Sequence, residues 1–109
     1  MKIAIQRDAG DVLIHVEGRM DTTNYNEFES AVNEVFKEDV KNIYLDLSEL
    51  SYISSSGLRV LLAIQKKMMT LGGKIKLCAL QPAIREIFDI SGFSSIFPIF
   101  PDMETAKKS

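Results

Sequence analysis

Three consecutive serines, Ser54, Ser55 and Ser56, stand directly before Gly57 and an apolar stretch, in the run SYISSSGLR over residues 51–59. Hydroxyls placed this way can loosen a linker, cap a helix, attack as a nucleophile or take up a phosphate. A nucleophilic serine between a strand and a helix sits in a G-x-S-x-G turn. Here Tyr52, Ile53 or Ser54 would have to replace the first glycine. The only imidazole, His15, lies in an early strand-like segment, and nothing specifies a lysine or carboxylate base. The pattern therefore disfavours a hydrolase, and no catalytic residue is assigned. The triplet is also too short and too tightly bracketed by patterned segments to be a linker. Capping and phosphate uptake are compatible with each other. The first amides of a helix lack intrahelical partners, and the positive end of its dipole points outward. A phosphoserine at that place is accommodated without unfolding its host.

Other chemistry is sparse. With one cysteine, Cys78, and one histidine, the chain lacks a Cys/His metal set and cannot form an internal disulfide. Cys78 lies in an apolar run and reads as a buried, inert thiol, which fits a reducing cytoplasm. His15 is expected on the strand face opposite Ile14 and Val16, solvated or packed at an edge. Neither G-x-G-x-x-G nor G-x-x-x-x-G-K-[ST] occurs, so no cofactor is expected. The 109 residues suit one domain, spanning 1–109. At 46% hydrophobic, 26% charged and a formal net charge of -2, the composition is globular and carries no whole-protein basic signal for nucleic acid. No apolar run approaches the roughly 18 residues of a membrane span. The opening MKIAIQRDAGD is too short for a signal-peptide core. A cytoplasmic protein, with no nucleic acid partner and no direct membrane insertion, is the expectation.

The elements that must position the serines follow from periodicity. Ile3 and Ile5, then Val12, Ile14 and Val16, alternate with polar neighbours around RDAGD, which predicts a β-hairpin. Tyr25, Phe28, Val32, Val35 and Phe36 fall on one helical stripe, predicting a helix over 23–38 with Asn24 and Glu27 at capping-box spacing. Ile43 to Leu47 reads as a central strand covered on both faces. A helix begins near Gly57, with Leu58, Leu61, Leu62, Met68 and Met69 as its stripe, widened by Val60 and Ile64, and Gly72-Gly73 as its stop. KIKLCAL is a further strand. A helix with Pro82 in its first turn and Gly92 past its end follows. SIFPIF is an edge strand at best, because Pro98 lacks a ladder donor. Asp102 caps a last short helix. Strand–helix alternation after an antiparallel hairpin predicts an α/β fold: a single domain with a mixed, mostly parallel sheet of four to five strands, packed by about four helices.

LDLSELSYISSSGLRVLL resembles the core motif of the STAS domains, named for sulfate transporters and anti-sigma factor antagonists. That pattern ends a strand in Asp-x-Ser and, after a short loop, opens a helix with Asp-Ser-Ser/Thr/Ala-Gly-Leu. Asp46 and Ser48 match its first part; Ser55, Ser56, Gly57 and Leu58 match its second. EGRMDTTN and IFPDMETA extend the resemblance along the whole chain. The resemblance implies an anti-sigma factor antagonist. Its unphosphorylated form would bind an anti-sigma factor/serine protein kinase, and its phosphorylated form would release that partner. A serine phosphatase would reset it. The phosphoacceptor so implied is Ser55. Ser54 stands where the family commonly has aspartate, so the acceptor stays open among Ser55, Ser54 and Ser56. Arg59 stands where glycine is common. The expected docking surface comprises Asp21, Thr22, Thr23, Asn24, Ser54, Ser56, Gly57, Leu58 and Arg59, with Asp46 and Ser48 orienting the loop. The alternative reading is a non-phosphorylated STAS accessory subunit of a transporter or another signalling complex.

Overall fold

The computed structural model describes all of residues 1–109. The alternation at the start folds as read. β1 (Lys2–Asp8) and β2 (Asp11–Met20) form an antiparallel hairpin in which Ile5 lies opposite Ile14. Its two-residue turn holds Ala9 at a φ of 56°, in the left-handed region. β3 (Asn42–Ile53) pairs parallel with β2, β4 (Lys74–Cys78) parallel with β3, and β5 (Ile99–Phe100) parallel with β4. The sheet order is β1-β2-β3-β4-β5. α1 (Tyr25–Val35) joins β2 to β3, and α2 (Ser55–Thr70) joins β3 to β4. α3 (Pro82–Ser91) and a 3-10 turn at Phe93–Ser95 lead to β5, and α4 (Met103–Lys108) closes the chain. No helix is long and apolar enough to cross a membrane.

The two faces of the sheet differ. Val12, Ile14 and Val16 of β2, Ile43, Leu45 and Leu47 of β3, and Ile75 and Leu77 of β4 are buried together with residues of three helices. Those are Phe28, Val32 and Val35 of α1, Val60, Leu61, Ile64 and Met68 of α2, and Ile84 and Phe88 of α3. Removing this apolar surface from water is the main force that fixes the layers. The other face has a small satellite cluster in which Ala106 of α4 covers Tyr44 and Cys78. Burial pushes the Cys78 thiol up to about 11, with Asp46 and Asp102 adding to it, so the sulfur stays protonated at neutral pH.

Some expectations change. β3 does not stop at Leu47 but runs to Ile53, and its second face is covered at one end only. Polar Ser48 and Glu49 broke the apolar pattern, yet the backbone goes on pairing with β2 through Ile53↔Met20. An extra residue between Asp46 and Glu49 bulges opposite His15–Glu17. The first helix is shorter than 23–38, and the Asn24–Glu27 capping box does not form. Asn24 turns back instead: its Oδ1 accepts from the Asp21 amide at 2.9 Å and its Nδ2 donates to the Arg19 carbonyl at 2.9 Å. The buried line of α2 is Gly57, Val60, Leu61, Ile64 and Met68. Leu58 and Leu62 are half-buried, and Met69 is 68% exposed. The local endings hold. Pro82 opens α3, Gly92 follows it at a φ of 82°, and Asp102 Oδ1 accepts from the Thr105 amide at 2.8 Å. Pro98 serves the sheet with its carbonyl alone, which accepts from the Leu77 amide at 2.9 Å.

Candidate functional site

The serine triplet lies where β3 hands over to α2, at the carboxyl end of the parallel strands. Open α/β sheets place their binding crevices at that end. The three hydroxyls have different fates there. Ser54 is the N-cap of α2, with an extended backbone, and its Oγ accepts from the Gly57 amide at 3.3 Å. Its own amide donates to the Met20 carbonyl at 2.8 Å, which ties the helix start to the end of β2. Ser54 is only 8% exposed. Its hydroxyl is covered and engaged as the cap of α2. Ser55 opens the helix and is exposed, and Ser56 is half-buried beside it.

Gly57 sets how closely α2 approaches the sheet. A Cβ there would stand 2.8 Å from Ile53 Cγ1 and 2.8 Å from Met20 Sδ, and both side chains are buried. Gly57 is itself buried and Leu58 packs against the core. Gly57 and Leu58 seat the helix, and Ser55, Ser56 and Arg59 are the less covered residues of its first turns.

Asp21–Asn24 adjoins the helix start through β2. Asp21 Oδ1 accepts from the Thr23 amide at 2.9 Å and from Thr23 Oγ1 at 2.6 Å. Those bonds hold the Asp21 carboxyl below the usual carboxylate range. Thr22 and Thr23 are exposed at the tip. The segment is a self-bonded turn leading into α1.

A groove leaves the serine site between α1 and α2. Its near part, of about 400 Å³, is lined by Tyr25, Glu29, Ser56, Arg59, Val60 and Ala63. Its far part, of about 410 Å³, shares Glu29, Val60 and Ala63 and is closed by Phe36, Lys37 and Lys67. The Lys67 ammonium lies 5.9 Å from the Phe36 ring centre. The groove has an apolar floor and a mainly cationic rim.

Asp46 and Ser48 do not reach the triplet. β3 continues for seven residues past Asp46, roughly 20 Å at the usual strand rise. Asp46 Oδ1 accepts from the Ser48 amide at 3.0 Å, and its Oδ2 meets His15 Nδ1 at 3.0 Å. Burial opposes ionisation of Asp46, but the Ser48 amide and the His15 imidazole outweigh it and hold the carboxyl below the usual range. Asp46 thereby ties the Ser48 amide, within the first irregularity of β3, to His15 of β2. His15 stands mid-sheet between β1 and β3, not at an edge, with Glu49 Oε1 3.6 Å from its Nε2.

The geometry is that of a helix start presenting one exposed hydroxyl beside a groove. The family model of the STAS domain matches residues 2–106.

The chain belongs to the STAS family.

Its relatives within the family include BtrV of Bordetella bronchiseptica, whose name gives it provisionally as an anti-sigma factor antagonist. The two are 36% identical over 106 residues, which are 97% of this chain and 91% of that one. The anti-sigma F factor antagonist of Paenibacillus polymyxa is 26% identical over 101 residues, covering 92% of this chain and 86% of its own. Among solved structures, an anti-sigma factor antagonist from Mycobacterium paratuberculosis superposes with a TM-score of 0.88 at 24% identity, over 98% and 91% of the two chains.

Three features of this STAS domain escaped sequence reading: the α1–α2 groove, the seating role of Gly57 and the His15–Asp46 pair. The groove and the pair depend on which elements become neighbours. Gly57 alone left a signal, as a glycine in the first turn of a helix where propensity disfavours it.

Proposed function

We propose that this STAS domain is an anti-sigma factor antagonist whose docking surface is switched by phosphorylation of Ser55. The partner is an anti-sigma factor that is also a serine protein kinase. It binds the unphosphorylated form, transfers phosphate to Ser55 and is released, and a serine phosphatase restores the free hydroxyl. The chain itself transfers nothing; it is a binding module acting in the cytoplasm. The supporting observation is the division of labour in the triplet. Ser54 caps α2 from a covered position, which leaves Ser55 as the exposed hydroxyl at the helix start. The names of the relatives point to the same class of partner.

The switch is electrostatic. A phosphate adds a charge of about -2 at neutral pH. In the free domain it stays in water, close to the positive end of the α2 dipole. Arg59, one turn further along the helix, is within reach of it. In a complex the same dianion is pressed into an interface and loses its water, which costs several kcal/mol that the single Arg59 charge does not fully offset. A loss of that size lowers affinity by about 10²–10³-fold. Binding of the purified domain to its anti-sigma partner, measured by calorimetry, tests this. Ser55→Ala should bind as tightly as the unmodified protein, and Ser55→Asp should bind far more weakly. Equal affinities for all three would defeat the proposal. Mass mapping of protein from its own cells should place phosphate on Ser55 and not on Ser54.

A further inference from the structure

β1 is the outer strand of the sheet, paired on one side only. Its seven residues include no proline, and its register with β2 runs from Lys2↔Glu17 to Asp8↔Asp11 without a bulge. All of its residues except Ile3 are exposed. Edges of this length are usually shortened, bulged or covered, because their free amides and carbonyls template further pairing. Charge is the one protective device left on β1, and its distribution is self-complementary.

We propose that β1 is a homodimer interface, pairing antiparallel with β1 of a second copy about a two-fold axis at Ile5. Lys2 then lies opposite Asp8 of the second copy and Asp8 opposite its Lys2. Ala4 meets Gln6, Ile3 meets Arg7, and Ile5 meets Ile5. Neither Lys2 nor Asp8 takes part in an ion pair within the chain. Asp8 faces Asp11 across the hairpin, a like-charge pairing that a neighbouring lysine relieves. Arg7 is already held by its own chain: its Nη2 donates to the Val35 carbonyl at 2.9 Å and its Nε lies 3.1 Å from Glu38. Ile5, 37% exposed, is covered by its counterpart. A slip of two residues in either direction separates both Lys2–Asp8 pairs, so charge selects one register. The contact is isologous and closes on itself. One strand edge buries less than the roughly 1,200 Å² of a stable interface, so the dimer is weak and concentration-dependent. Pairing at this edge leaves the carboxyl ends of the parallel strands, and hence Ser55, open in both copies.

Sedimentation velocity on the full chain at low ionic strength, from micromolar to millimolar, is the test. The expected result is a reversible monomer–dimer equilibrium. Lys2→Asp and Asp8→Lys should each weaken it by about tenfold, since each turns two attractive cross-strand pairs into repulsive ones. The double variant should recover the original affinity, and Ile5→Lys should abolish association. Circular dichroism of each variant checks that the fold is kept. A monomer at every concentration would overturn the proposal. So would a dimer indifferent to these changes, or a double variant no tighter than the singles.

Discussion

The three serines show how far identical side chains diverge within one turn of chain. Ser54 has the extended backbone of an N-cap and accepts from the Gly57 amide, whereas Ser55 and Ser56 already belong to the helix. Ser54→Ala should therefore destabilise the domain by about 1–2 kcal/mol, read from the urea midpoint at constant slope. Ser54→Asp should hold the wild-type midpoint, because a carboxylate caps as well as a hydroxyl and suits the helix dipole. A Ser54→Ala variant as stable as wild type would refute the capping role. Asp46 contributes to the acid response of the open sheet face. Its folded-state ionisation lies below the ordinary carboxylate value of about 3.9, so its contribution to stability is complete above that pH. It is lost as the pH falls through the depressed folded value. Urea unfolding from neutral to acid pH should show Asp46→Asn losing less stability below about pH 4 than wild type does. Parallel curves would remove Asp46 from the acid response.

α2 is the element on which the site depends, and its seating depends on the absence of a side chain. With Ile53 and Met20 both 2.8 Å from where a Cβ on Gly57 would sit, the first turn lies directly on the ends of β3 and β2. Gly57→Ala should lower stability by about 1–3 kcal/mol, despite alanine's better helix propensity, because buried neighbours have to shift. A melt showing no change or a gain would mean that Met20 and Ile53 rearrange freely. The same close approach explains the buried line of α2. Once Gly57 faces the sheet, Val60, Leu61, Ile64 and Met68 must follow, and Met69 turns outward. The apolar count alone favoured Leu58, Leu62 and Met69 as well, because a helix rich in leucine and methionine offers several overlapping stripes. β3 is the counterpart: its two register shifts let the strand go on past polar residues and deliver its end beside Met20.

For the whole molecule, three helices cover one face of the sheet, and a single short helix covers part of the other. The carboxyl ends of the parallel strands gather the Asp21 turn, the Ser55 helix start and the mouth of the α1–α2 groove on one side. The outer edge of β1 lies elsewhere, so the proposed docking and the proposed self-association need not compete.

The sequence alone determined what is local. Period-two alternation specified the hairpin, Pro82 and Gly92 bracketed α3, Asp102 capped α4, and SSSGL marked a strand-to-helix turn, because each signal acts within a few residues. Tertiary structure decided the rest. Asn24 had the right spacing for a capping box, but its amide found better partners on Asp21 and Arg19, and no propensity weighs that competition. His15 and Asp46 lie 31 residues apart and meet only through the β2–β3 register. Which serine is covered and which is exposed follows from how closely α2 docks, a property of the packed core and not of the triplet.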